Sequence, residues 1–177
     1  MSLILRVVFL LLFTSSMAYA GVFGDSEIFD SAENNDITSV EKYLLNGENP
    51  NIRSKAKIPL ISKAAAAGST GVVKTLLDHG ANSNLDDRNG NTPLTQSAAH
   101  GHSDIIDLLA KAGAKVNHEN QQGETALIKA SRNGHEDAVK VLLQRGADKN
   151  ITDFTGRSAL DHAVENRHLG VAKILKP

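Results

Sequence analysis

After Gly101-His102, Ile105, Ile106, Leu108 and Leu109 recur at the spacing of one helical face, followed by Gly113. Such a stripe predicts an amphipathic helix, and the glycine just beyond it supplies the left-handed residue at which helices commonly stop. Upstream, Asp87-Arg88-Asn89-Gly90-Asn91-Thr92-Pro93-Leu94 predicts a tight turn with Gly90 at positive φ. A helix capped by Thr92 and starting at Pro93 follows. It carries the small pair Ser97 and Ala98 and ends at Gly101-His102. The order along this stretch is therefore turn, helix, turn, helix.

The pattern repeats when the chain is shifted against itself by 33 residues. Gly90, Gly123 and Gly156 coincide, as do Ile61, Leu94, Leu127 and Leu160. The series Gly68, Gly101, Gly134; Gly47, Gly80, Gly113, Gly146; and Asn51, Asn84, Asn117, Asn150 keep the same register. A period of this length means stacked units, none of which buries its apolar face alone. Val72, Ile105, Ala138 and Val171 form one predicted column of contacts between second helices, and Leu76, Leu109, Leu142 and Leu175 another. Ala65, Ala98 and Ser131 are small enough to let first helices approach closely. The alanine-rich segment 64–67 lies in this register, so it belongs to the core and not to a linker.

Thr92-Pro93-Leu94, Gly101-His102, Gly134-His135, Gly113-Ala114-x-x-Asn117 and Gly146-Ala147-Asp148-x-Asn150 together resemble the ankyrin repeat. The resemblance runs over roughly residues 26–177. It implies an all-α solenoid of five helix-turn-helix repeats with hairpin-like turns, at about 26–53, 54–86, 87–119, 120–152 and 153–177. The first repeat lacks the turn glycine and the last is short, as terminal repeats are. Departures are the family's histidine after T-P-L, which is Thr95, Ile128 or Asp161 here, and Pro59 standing where Thr92 stands one repeat later.

Ankyrin arrays generally bind proteins through their turn tips and the exposed side of the first helices, which form a concave face. By register the resemblance assigns to it Lys55, Ala56 and Ile58; Arg88, Asn89 and Asn91; Gln121, Gln122 and Glu124; and Phe154, Thr155 and Arg157. The ends of the first helices add Ala66 and Ala67, Ala99 and His100, Arg132 and Asn133, and Glu165 and Asn166. Phe154, Arg88, Arg132 and Arg157 are the candidate anchors, because aromatic and arginine residues are enriched among energetic hot spots. Each is equally readable as solvated surface, and Phe154 also as a shield for the final repeat. The implied function is non-catalytic binding of another protein by a chain that is a monomer on its own. An inhibitor of a toxic enzyme and an accessory subunit stabilising an exported enzyme are its narrower alternatives.

The chain start adds a compartment. Leu3 to Phe13 is apolar apart from Arg6, and small or polar residues then lead to Ala18-Tyr19-Ala20. This is the layout of a cleavable signal peptide. The run of about eleven residues is too short for a membrane-spanning helix, which takes roughly 20. Residues 1–20 are the expected signal and 21–25 a short segment before the repeats. The product is expected outside the cytosol, in the periplasm or alternatively secreted, with no membrane insertion after cleavage. The chain has no cysteine, hence no disulfide and no lipid-bearing residue at the cut.

Cleavage would remove Arg6 as the only charge, leaving the mature chain one unit more negative than the −1 of the whole. That balance offers no general attraction to phosphate backbones. With aromatics at 4% and no tryptophan, stacking platforms for single strands are scarce. Nucleic acid is excluded as an expected partner.

Catalytic motifs do not survive inspection. Ser54-Lys55-Ala56-Lys57 matches S-x-x-K but falls in a turn between repeats. His135-Glu136 opens like H-E-x-x-H, yet Val139 stands where the second histidine is needed. Asp87, Asn89 and Asn91 imitate a calcium loop whose last ligand position is Ala98. His102 and His135 fit the structural Gly-His position, and His79, His100, His118, His162 and His168 look scattered. No cofactor or metal is expected. Asn150-Ile151-Thr152 matches a glycosylation acceptor, although Asn150 also belongs to the asparagine column.

Overall fold

The computed structural model describes residues 25–176, so the expected signal peptide lies outside the described residues. Among the described residues ten helices form five antiparallel pairs: α1 (Asp25–Glu33) with α2 (Ile37–Leu45), α3 (Leu60–Ala67) with α4 (Thr70–Asp78), α5 (Pro93–His100) with α6 (Ser103–Lys111), α7 (Ala126–Arg132) with α8 (Glu136–Gln144), and α9 (Ala159–Glu165) with α10 (Leu169–Leu175). Each first helix packs on the next first helix and each second helix on the next second helix. The result is two parallel layers of helices, with the hairpin tips projecting from one edge. Among the described residues there is no strand, only the isolated bridges Arg53–Pro59 and Thr152–Ser158 at two tip bases.

The columns carry the core. Leu76, Leu109, Leu142 and Leu175 are buried, as are Val72, Ile105, Ala138 and Val171. Ala65, Ala98 and Ser131 are sealed where first helices touch. Caps follow the local sequence: the Thr92 hydroxyl accepts from the Thr95 amide at 3.3 Å, Thr125 does the same for Ile128, and Ser158 forms a reciprocal capping box with Asp161. Pro59 caps α3 with no side-chain bond, because it has no acceptor to offer.

Two side-chain ladders tie repeat to repeat. Asn84 donates to the Gly113 carbonyl at 3.1 Å while its oxygen accepts from the Lys115 amide at 2.8 Å. Asn51 and Asn117 repeat this toward Gly80 with Asn82, and toward Gly146 with Asp148. In the second ladder a histidine ring lies over the glycine of the preceding repeat and its Nε2 meets a helix-end carbonyl: His102 with Ala66 at 3.1 Å, His135 with Ala99 at 3.0 Å, His168 with Arg132 at 3.0 Å. His168, expected to be scattered, belongs to this column. Its signal was hidden because Arg167 precedes it in place of glycine.

Candidate binding face

Each tip is built on one short acceptor at the head of its turn. Asp87 Oδ1 accepts from the amides of Asn89 and Asn91 at 2.8 and 2.9 Å, Asn120 Oδ1 from Gln122 and Glu124 at 3.0 and 2.9 Å, and Asp153 Oδ1 from Thr155 and Arg157 at 2.8 and 3.1 Å. Ser54 holds the same register and accepts from Ile58. These residues make the tips rigid, and they were missed as a set. The 33-residue spacing of Ser54, Asp87, Asn120 and Asp153 was visible, but the residue type changes along the column.

The second carboxylate oxygen or its neighbour reaches back to the first helix. Gln96 donates to Asp87 Oδ2 at 3.2 Å and His162 pairs with Asp153 Oδ2 at 2.7 Å. In the fourth repeat the acceptor is Asn120, and Glu124 supplies the missing carboxylate: it binds Lys129 at 3.0 Å, Asn120 and Arg132. Burial opposes ionisation of Glu124 and Asp153. For Glu124 hydrogen bonds and the Lys129 cation outweigh that cost, and for Asp153 hydrogen bonds alone do, so both pKa values fall; Asp153, held by Thr155, His162 and the Arg157 amide, lies far below the carboxylate range.

The assigned face divides accordingly. Arg88, Asn89, Gln121, Gln122, Phe154 and Arg157 are exposed along the tips, and His100 and Asn133 are exposed at the ends of first helices. Asn91 and Glu124, expected on the surface, are only 9% and 7% exposed and serve the tip networks. Arg132 is half-buried and tied to Glu124, so it supports the fold as well as lying on the face. The same register positions carry the opposite charges one repeat on, where Arg157 meets Glu165 at 3.1 Å. That pair stands half in water and contributes little.

Phe154 packs against the Gly123 backbone of the preceding tip, where a β-carbon would approach its ring at 2.6 Å. The residue is still 73% exposed, so it lies beside the fourth tip and leaves aromatic surface in solvent. Adjacent tips are stitched by backbone bonds, Gln121 N–H to Asn89 C=O and Phe154 N–H to Gln122 C=O, both 3.0 Å. The geometry offers a row of exposed polar side chains and one aromatic on tips whose backbone is fixed. Among the described residues no three metal-ligating side chains gather, and no helix is long and apolar enough to cross a membrane.

Comparison with protein families finds a match to ankyrin repeats (3 copies), over residues 28–120 and 112–177. No curated protein matches the chain.

Proposed function

Because the chain belongs to the ankyrin-repeat family, we propose that it is a non-catalytic module that holds a partner protein on its concave face, outside the cytosol. Ankyrin repeats are in general protein–protein interaction modules, so the coarse class follows from membership. The observation that carries the finer reading is the row of exposed tip residues, Arg88, Asn89, Gln121, Gln122 and Phe154, on turns whose backbone is held by its own hydrogen bonds. Preorganised tips lose little entropy on docking.

The compartment rests on residues 1–20: Arg6, the apolar run behind it and Ala18-Tyr19-Ala20. Two experiments test the proposal. Immobilised purified chain should capture one protein from an envelope extract, and excess free chain should compete it away; failure to capture any protein contradicts the binding role. N-terminal sequencing of the native protein should begin at Gly21, and an intact Met1 form in the cytosol contradicts export.

A further inference from the structure

The tips of the second and third repeats differ from the rest in charge and in spacing. Arg53 and Asp86 pair with each other across these tips at 3.5 Å. The remaining exposed charges there are Lys55, Lys57 and Arg88, and among the described residues none of their side chains has an ion-pair or hydrogen-bond partner. All three are basic, although the whole chain has a net charge of −1. A surplus opposite in sign to the molecule is a local field.

Lys57 is the more telling because of its backbone. It sits at φ +66° in the column where Gly90, Gly123 and Gly156 take the same left-handed conformation. At Gly90 and Gly123 the next tip's backbone lies against the α-carbon, and a β-carbon would meet the Gln121 amide at 3.2 Å or the Phe154 amide at 2.9 Å. Among the described residues, no backbone hydrogen bond joins the second tip to the third, unlike the later tips. A long cation therefore stands where the third and fourth repeats need glycine, and the second tip is joined to the third by the Arg53 side chain instead of by backbone.

Beside Lys55 the face opens into a cleft of about 430 Å³, lined by Ser26, Phe29, Asp30, Ser54, Lys55 and Ala56. Phe29 is nearly buried and gives the cleft an apolar wall, and Asp30 lines it with a carboxylate. With Arg53 and Asp86 paired, three cations stand against the carboxylates of Asp87 and Asp30, and this surplus beside an apolar cleft fits an acidic chain segment carrying one apolar side chain.

We propose that the N-terminal half of the concave face, Lys55, Lys57 and Arg88 with the adjoining cleft, takes an acidic peptide segment of the partner, its apolar residue seated against Phe29. This rests on the concave-face reading and specifies it. The test uses a displayed library of random twelve-residue peptides, panned on the purified chain at moderate salt. Enriched peptides should be rich in Asp and Glu around an apolar residue, and synthetic copies should lose at least tenfold in affinity for Lys55→Glu/Arg88→Glu. Lys57→Gly should weaken the same peptides while raising the melting temperature, separating the cation's role from any structural one. A control on the second helices, Lys74→Ala/Gln144→Ala, should bind normally. Non-acidic winners, no enrichment, or undiminished binding by Lys55→Glu/Arg88→Glu overturn the proposal. If binding instead falls with Arg132→Ala or Phe154→Ala, the site is wrong but the concave reading stands; if it falls only with the second-helix control, both fail.

Discussion

Gly134 has no room for a side chain: a β-carbon there would lie 2.5 Å from the ring of His168, and its backbone is at φ +79°. Gly68 and Gly101 are held in the same way by His102 and His135. The two places where this column departs from glycine explain themselves. Asn35, at φ +55°, is followed one repeat later by Ser69, whose small hydroxyl reaches the Glu33 carbonyl at 3.0 Å and leaves space for the asparagine. Asn35 in turn accepts from the Val72 amide. Arg167, at φ +61°, has no described histidine above it. Glycine and histidine are thus one unit. Gly134→Ala should cost about 2–3 kcal/mol, from left-handed strain plus displacement of the ring and its bond. In a His168→Ser background it should cost only the strain, so a double-mutant cycle by urea denaturation should show about 1 kcal/mol of coupling; additivity would mean that the ring yields freely.

Asp153 supplies the residue-scale pH dependence. Its pKa is depressed in the fold, so it contributes stability that is complete above the ordinary carboxylate value and drains away as pH falls below it. Asp153→Asn should flatten the stability profile between about pH 4 and pH 2, measured by denaturant melts. Asn120 already fills the same role one repeat earlier without a charge.

Between elements, stability comes from columns. Leu109 is fully buried between Leu76 and Leu142, and Leu109→Ala should cost roughly 2–5 kcal/mol in thermal or chemical unfolding. The asparagine ladder gives a subtler contrast. Asn117 makes two bonds to the following repeat, to Gly146 C=O at 3.3 Å and from Asp148 N–H at 2.9 Å. Asn150 holds the same register but among the described residues bonds within its own turn, to Asp148. Asn117→Ala should therefore cost about 1–2 kcal/mol, and Asn150→Ala about 0.5 kcal/mol or less; equal effects would show that the ladder carries no stability.

The columns also mark how far the sequence could be read. Gly101, Leu109 and Asn117 announce themselves because each position admits few residue types, so the same letter returns at 33. Asn91, Glu124 and Arg132 look like surface residues in a polar turn. Their withdrawal into the tip depends on which residue supplies the acceptor and which the carboxylate, and that division of labour shifts from Asp87 with Gln96 to Asn120 with Glu124 and Lys129. A column of roles, not of letters, is hard to see in one sequence.

For the whole molecule the central claim is that the concave side does the binding and the second-helix side does not. The side chains that test it must be free of structural duties. Arg132 fails this because of Glu124, and on the opposite side Asp107 fails because Arg145 and Lys111 hold it, as Asp137 holds Lys140. Arg88, Gln122 and Phe154 are exposed on three successive tips; Lys74, Gln144 and Lys173 are exposed on second helices. Either triple alanine variant should keep its helicity and melt within about 1.5 kcal/mol of the wild type, at roughly 0.5 kcal/mol per exposed site. The decisive measurement is the affinity of both variants for the captured partner, by titration calorimetry. The tip triple should lose about 2 kcal/mol or more, a factor of roughly thirty, and the second-helix triple should bind as wild type. Loss of binding by the second-helix triple, with the tip triple unaffected, would place the working surface on the other side of the stack.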